Sequence, residues 1–185
     1  MIHQKGFWVG VESQGQHAFD PLLSQSLITF FKKEGGKVCD FGCGMGDYVR
    51  NMRQEGIDAD GYDGNPNTPE LTNGVGKVLD LSSLQILEKE YDWVVTLEVG
   101  EHIPKEYEST FIQNIMMNNK KGVVMSWAVK GQGGHGHVNC QNNDYIKSIF
   151  ESYGYKNDIE AENWFRSNIT DNCHWFRNTI MVFRK

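Results

Sequence analysis

The run Asp40-Phe41-Gly42-Cys43-Gly44-Met45-Gly46 sets glycines at alternate positions behind an acid, a pattern that brings bare backbone against a ligand. A helix that follows such a turn aims its free N–H groups at a polar or anionic group. Two further acids stand downstream, Asp63 and Asp80. A carboxylate accepts both hydroxyl hydrogens of a ribose, which suits Asp63 with Gly64 behind it, and Asp80-Leu81 stands where the amino group of a base would lie. Farther along, Glu98-Val99-Gly100-Glu101-His102 gives two carboxylates and an imidazole at E-x-x-E-H spacing. They either line a pocket or share a divalent cation that would lower the pKa of a hydroxyl. Lys130-Gly131-Gln132-Gly133-Gly134-His135-Gly136-His137-Val138-Asn139 is either a solvated loop or a source of chemistry. His135 or His137 would then act as a general base or complete a metal shell, and their alternation aims both rings to one side of an extended backbone.

These groups act together only if the fold brings them to one edge. Asp20-Pro21 reads as an N-cap with proline at the first helical position, and Leu23, Leu27, Phe30 and Phe31 repeat at helical spacing up to Gly35-Gly36. Residues 37–41 form a short strand running into the glycines, and Tyr48, Val49 and Met52 mark a helix ended by Gly56. Strands are expected over 58–63, 76–81, 91–98 and 122–128, and the apolar centre of 91–98 predicts burial on both faces. Pro104 opens a helix carrying Tyr107, Phe111, Ile115 and Met116, and Ile146, Ile149, Phe150 and Tyr153 define another, ended by Gly154. Two last strands, about 159–165 and 179–184, have no helix between them in this reading and predict an antiparallel hairpin at one edge. Strands alternating with helices call for a mostly parallel sheet covered on both faces, with ligands at the carboxyl ends of its strands.

Asp40-x-Gly42-x-Gly44-x-Gly46, Asp63, Asp80-Leu81 and Leu97-Glu98 together resemble the successive cofactor motifs of class I S-adenosylmethionine-dependent methyltransferases, over residues 37–130. The resemblance implies an α/β fold, a Rossmann-like three-layer sandwich whose mostly parallel seven-stranded sheet has an antiparallel C-terminal edge strand. It implies cofactor contacts from Asp40, Phe41, Gly42, Cys43, Gly44, Gly46, Asp63, Gly64, Asp80, Leu81 and Glu98. The first glycines would lie along the methionine part, Asp63 would hold the ribose and Asp80 would meet the adenine. The E-x-x-E-H segment is similar to the metal motif of ubiquinone-pathway O-methyltransferases and small-RNA 2′-O-methyltransferases, in which a later histidine joins the metal. That likeness implies Glu98, Glu101 and His102 as ligands of Mg²⁺ or Mn²⁺, and leaves His102, His135 and His137 as catalytic candidates.

A nicotinamide dinucleotide enzyme would also need glycines and a ribose-binding acid, but its fingerprint is G-x-G-x-x-G, and here Gly46 comes early and is followed by Asp47. An aspartate at the mouth of the helix repels a pyrophosphate and suits a cationic sulfonium. A catalytically inactive cofactor-binding module supporting a partner enzyme is the other alternative. Methyl transfer from a sulfonium is an in-line displacement, so the protein must mainly align the acceptor and manage a proton. The acceptor expected is a hydroxyl or other heteroatom of a small polar molecule. Trp8, His17 and Phe19, with Asn172, His174, Trp175 and Phe176, either cover that molecule or simply pack.

Bulk properties narrow the field. A chain of 185 residues, 39% hydrophobic and 23% charged, fits one domain, 1–185, with a lead-in and helix over 1–35 and the core over 36–185. The net charge of −6 and the lack of a long Lys/Arg stripe argue against long nucleic acid as a partner. No apolar run reaches the roughly 20 residues needed to span a bilayer, and the N-terminus lacks a secretory pattern. A cytoplasmic protein with free thiols at Cys39, Cys43, Cys140 and Cys173 is expected, and the triplet Asn168-Ile169-Thr170 is then no glycosylation site.

Overall fold

In the computed structural model of the chain, which describes residues 1–10 and 17–185, Asp20 caps the first helix as its position predicts. Its Oδ1 accepts from the Leu23 amide at 2.8 Å and opens α1, Pro21–Glu34, which stops at Gly35. Its Oδ2 accepts from the Thr170 amide at 2.9 Å and the Thr170 hydroxyl at 2.6 Å, so one buried carboxylate ties α1 to the C-terminal part of the chain. Asp20→Ala removes the cap and strands buried donors, and should cost about 2–4 kcal/mol in urea unfolding. A loss under about 0.5 kcal/mol would show that these bonds are idle.

From there the chain runs β1 (Val38–Phe41), α2 (Asp47–Gln54), β2 (Ala59–Asp63), a short α3 (Thr68–Leu71) that the sequence reading does not name, β3 (Gly76–Val78), β4 (Trp93–Thr96), α4 (Glu108–Met117) and β5 (Gly122–Ser126). Next come α5 (Asn143–Ser152), β6 (Lys156–Asn157), α6 (Ile159–Ser167), α7 (Phe176–Thr179) and β7 (Ile180–Arg184). The strands form one seven-stranded sheet in the order β3-β2-β1-β4-β5-β7-β6. β3, β2, β1, β4 and β5 are parallel, and β7 runs antiparallel to both of its neighbours. Alternate residues face opposite layers. Val38 and Val95 pack with Leu27, Val49 and Phe165 on one side, while Cys39 and Val94 pack with Phe111, Ile115 and Phe150 on the other. The order reverses between β1 and β4, and the loops after these two strands therefore flank the crevice where open α/β sheets bind ligands.

Three expectations change. The segment 159–165 is helical, not a strand. Asp158 caps it by accepting from the Ala161 amide at 3.0 Å, Glu160 and Glu162 occupy the first turn, and Glu162 pairs with Arg166 one turn on. The last two strands are therefore separated by helices and form no hairpin; β7 lies one place in from the edge, with the two-residue β6 outside it. Strands three, four and five also end early, at Val78, Thr96 and Ser126, which leaves Asp80 and Glu98 in the loops beyond. Of the irregular lead-in, residues 1–10 fold back on themselves, with Ile2 bridged to Trp8, and 11–16 lie outside the described residues. All four cysteines are free, and no described helix is long and apolar enough to cross a membrane.

Candidate functional site

The glycine turn is built for close approach. Gly42, Gly44 and Gly46 all have positive φ, 83°, 52° and 74°, which side chains rarely tolerate. A Cβ on Gly42 would meet Val99 at 2.2 Å, and one on Gly44 would meet the His17 ring at 2.6 Å. The turn is laced to β2: the Gly42 and Cys43 amides donate to the Tyr62 carbonyl, and the Gly44 amide donates to Asp63 Oδ2 at 3.0 Å. Asp63 Oδ1 accepts from the Asn65 amide at 2.9 Å. Asp40 is buried beneath the turn, and burial, reinforced by the charge of Asp63, pushes its carboxyl up to about 8.

A cavity of about 670 Å³ opens above this turn, and Asp40, Gly42, Gly44, Asp63, Asp80 and Glu98 are on its walls. Cys43, Gly64, Leu81, His102, His135 and His137 also line it. Phe41 and Gly46 do not reach it. Phe41 is fully buried against Tyr62, and Gly46 turns the chain into α2 facing Thr72. Of the residues expected either to cover the substrate or to pack, Trp8, His17, Phe19, His174, Trp175 and Phe176 are on the wall, and Asn172 is not. The lead-in forms a roof. Phe7 packs over Gly64, Gly6 packs on the His102 carbonyl, and Trp8 stacks on His135 at 5.2 Å. Lys5 pairs with Asp80 at 2.6 Å. Burial works against the Asp80 charge, but hydrogen bonds from Lys5 and Ser82 outweigh it and hold the carboxyl below its ordinary value. Lys5 carries no motif, and nothing in the sequence announces this pairing.

On the β4 side, Glu98 takes a left-handed backbone, φ 53°, its amide bound to the Ser126 hydroxyl and its carboxylate to Gln132 at 2.7 Å. Glu101 is fully buried, and among the described residues neither of its carboxylate oxygens has a well-formed hydrogen bond, with the Glu101 and Ala128 backbone and the Glu98 carboxyl close by. Burial first, and the nearby Glu98 charge second, push its carboxyl well above the ordinary range. Donor atoms of Glu101, His102 and His137 all lie within 4.8 Å of one another, with His137 Nε2 3.9 Å from Glu101 Oε1. His102 Nδ1 bonds to the Gly136 carbonyl at 3.2 Å, and His137 Nδ1 to the Gln132 carbonyl at 3.4 Å. A carbonyl can only accept, so these contacts put the proton of each ring on Nδ1, with the Cys140 thiol also 3.7 Å from that nitrogen of His137, and leave Nε2 unprotonated. Burial, aided by the neighbouring His137, drives His102 down to about 4. The fold thus joins Glu101 and His102 to His137, whereas Glu98 stands beside the group, outside this set of donors, and His135 is exposed against Trp8.

Residues 14–126, more than half of the chain, match the model of a family described as a methyltransferase domain. The chain belongs to that family. It is a class I S-adenosylmethionine-dependent methyltransferase. Family membership sets the nicotinamide alternative aside. Solved structures agree on the fold of the methyltransferase. Magnesium protoporphyrin IX methyltransferase from Synechocystis PCC 6803, with bound SAH, superposes with a TM-score of 0.67 at 18% identity over 88% of this chain and 81% of that one. A TehB-like SAM-dependent methyltransferase from Corynebacterium glutamicum gives 0.63 at 16% identity, over 89% and 86% of the two chains. The CcbJ methyltransferase from Streptomyces caelestis gives 0.67 at 9% identity over 94% of each. No curated protein matches the methyltransferase.

Proposed function

We propose that this methyltransferase moves the methyl group of S-adenosylmethionine to a hydroxyl oxygen of a small molecule, assisted by a divalent cation, Mg²⁺ or Mn²⁺, held by Glu101, His102 and His137. The observation that carries the reading is Glu101: a fully buried carboxylate with no well-formed hydrogen bond on either oxygen among the described residues, facing two imidazoles whose Nδ1 protons are already committed. A carboxyl this deeply buried is held neutral unless a cation stabilises its charge, and a metal between it and the two Nε2 atoms would supply that stabilisation. S-adenosylmethionine supplies an electrophilic methyl group, the new O–C bond forming as the S–C bond breaks, and a cation at this point supplies the charge that favours loss of the acceptor proton. Asp63 would accept hydrogen bonds from the ribose hydroxyls, and Asp40 would face the cationic methionine end, beside Gly42 and Gly44. Asp80 and Leu81 border the adenine side, and Glu98 adjoins the cation. Of the three candidates His102, His135 and His137, His135 is on the cavity wall and outside the donor set, and would take the proton.

The acceptor follows from the same wall. Lys5 is the sole Lys or Arg among the described residues lining the cavity, and Asp80 already neutralises it. A polyanion such as long nucleic acid finds no counter-charge there, which favours a small uncharged molecule. The test is transfer from labelled S-adenosylmethionine to a panel of hydroxylated small molecules. Activity should vanish in excess chelator and return with Mg²⁺ or Mn²⁺, and His102→Ala should lose it while S-adenosylhomocysteine still binds. Full activity in chelator would refute the cation.

Asp40 gives the cofactor step a pH dependence. A cationic ligand favours the carboxylate, so binding draws off the proton that Asp40 holds below about 8. Calorimetric affinity for S-adenosylmethionine should therefore strengthen between about pH 6 and pH 8, by up to about tenfold per pH unit, with a proton released to buffer. Asp40→Asn should flatten the profile, and a wild-type affinity indifferent to pH would remove Asp40 from this role.

A further inference from the structure

Gln132 joins the two halves of the site. Its Nε2 donates to Glu98 Oε2 at 2.7 Å, and its Oε1 accepts from the Val129 amide at 3.3 Å. Its own amide donates to the Val129 carbonyl at 2.9 Å, closing the turn after β5. Its carbonyl then accepts from His137 Nδ1 and from the Cys140 thiol, at 3.4 and 3.8 Å. One residue thus fixes a carboxylate from the β4 loop through its side chain and an imidazole from the β5 loop through its backbone.

We propose that Gln132 is a positioning residue that holds His137 in its Nδ1–H tautomer, with Nε2 turned to Glu101, and keeps Glu98 in register beside it. The proposal deepens the cation reading and rests on it for its effect on affinity. In water a neutral histidine favours the proton on Nε2, the tautomer that cannot ligate through that nitrogen. The Gln132 carbonyl reverses the preference, but only while the turn that presents it is held. The side chain holds it, through Val129 on one side and Glu98 on the other. His102 is an internal control, because its Nδ1 is bound by a different carbonyl, that of Gly136. Ring orientation by a partner on the far nitrogen is a general device of metal-binding histidines, and its loss typically weakens metal binding by about 10–100-fold.

The experiment uses Gln132→Met, which keeps the volume but loses both side-chain bonds, and Gln132→Ala as a second variant. Imidazole ¹⁵N spectra of the full chain, freed of metal by chelation, report the tautomers, and Mn²⁺ titration followed by electron paramagnetic resonance reports affinity. The expected result is Nδ1–H at both histidines in wild type, a shift toward Nε2–H at His137 alone in the variants, and Mn²⁺ binding weakened about 10–100-fold. Binding of S-adenosylhomocysteine should stay within about threefold of wild type, a change worth under 1 kcal/mol. Unchanged tautomers with unchanged Mn²⁺ affinity would overturn the proposal, as would a shift at His102 as large as that at His137. If wild type itself binds no Mn²⁺, the cation reading fails, and the tautomer comparison by itself decides the role of Gln132.

Discussion

Glu101→Leu is expected to cut methyl transfer by at least about 100-fold while making the chelated protein more stable, by about 1–3 kcal/mol. The two effects have one cause. The Glu101 side chain is fully buried, neither oxygen has a well-formed hydrogen bond among the described residues, and the Glu98 charge adds to the cost. A leucine of similar length carries none of that penalty, so the apo fold gains. It also removes the one carboxylate among the gathered donors, so cation-dependent chemistry is lost. Saturating Mg²⁺ should reverse the ranking of stabilities, because a ligand at about 100 times its Kd stabilises the folded state by about 2.7 kcal/mol. Urea unfolding with chelator and with Mg²⁺, beside initial rates, gives all three numbers. A variant less stable than wild type in chelator would make Glu101 a structural group.

Asp63→Ala is expected to weaken S-adenosylhomocysteine binding by about 100-fold or more. The side chain accepts from the amides of Gly44 and Asn65 and so holds the glycine turn, and in the proposed site its remaining lone pairs would accept from the ribose. Hydrogen bonds to a charged group contribute about 1.5–3 kcal/mol each, so losing the ribose contacts and the shape of the turn together exceeds a single bond. Asp63→Asn keeps one accepting oxygen and should fall between. Calorimetry on the three proteins decides it, and an alanine variant within about threefold of wild type would detach Asp63 from the cofactor.

The glycine turn and the strand that carries Asp63 were legible because each part obeys a local rule. Gly42 and Gly44 need positive φ, Asp63 ends its strand, and the alternation of strands and helices leaves few arrangements of the sheet. The helix over 159–167 was misread because Ile159, Trp164 and Phe165 suggest a strand by residue type, whereas the cap at Asp158 and the Glu162–Arg166 pair decide for a helix. The gathering of Glu101, His102 and His137 was legible only in part. E-x-x-E-H pointed to Glu101 and His102, but which later histidine meets them depends on how the β5 loop folds, and that rests on single bonds such as Gly136 to His102 and Gln132 to His137. The spacing likewise could not show that Glu98 turns to Gln132 and Thr179, nor that Lys5 reaches Asp80 from 75 residues away.

In the proposed mechanism Glu101, His102 and His137 hold one cation. Pulsed electron paramagnetic resonance of the protein loaded with one Mn²⁺ per chain addresses it directly, because nitrogen bound to the ion modulates the echo. Modulation should come from two imidazoles, fall to one in His137→Gln and likewise in His102→Gln, and be unaffected by His135→Gln. Mn²⁺ without nitrogen coupling, or coupling that survives loss of both His102 and His137, would contradict it.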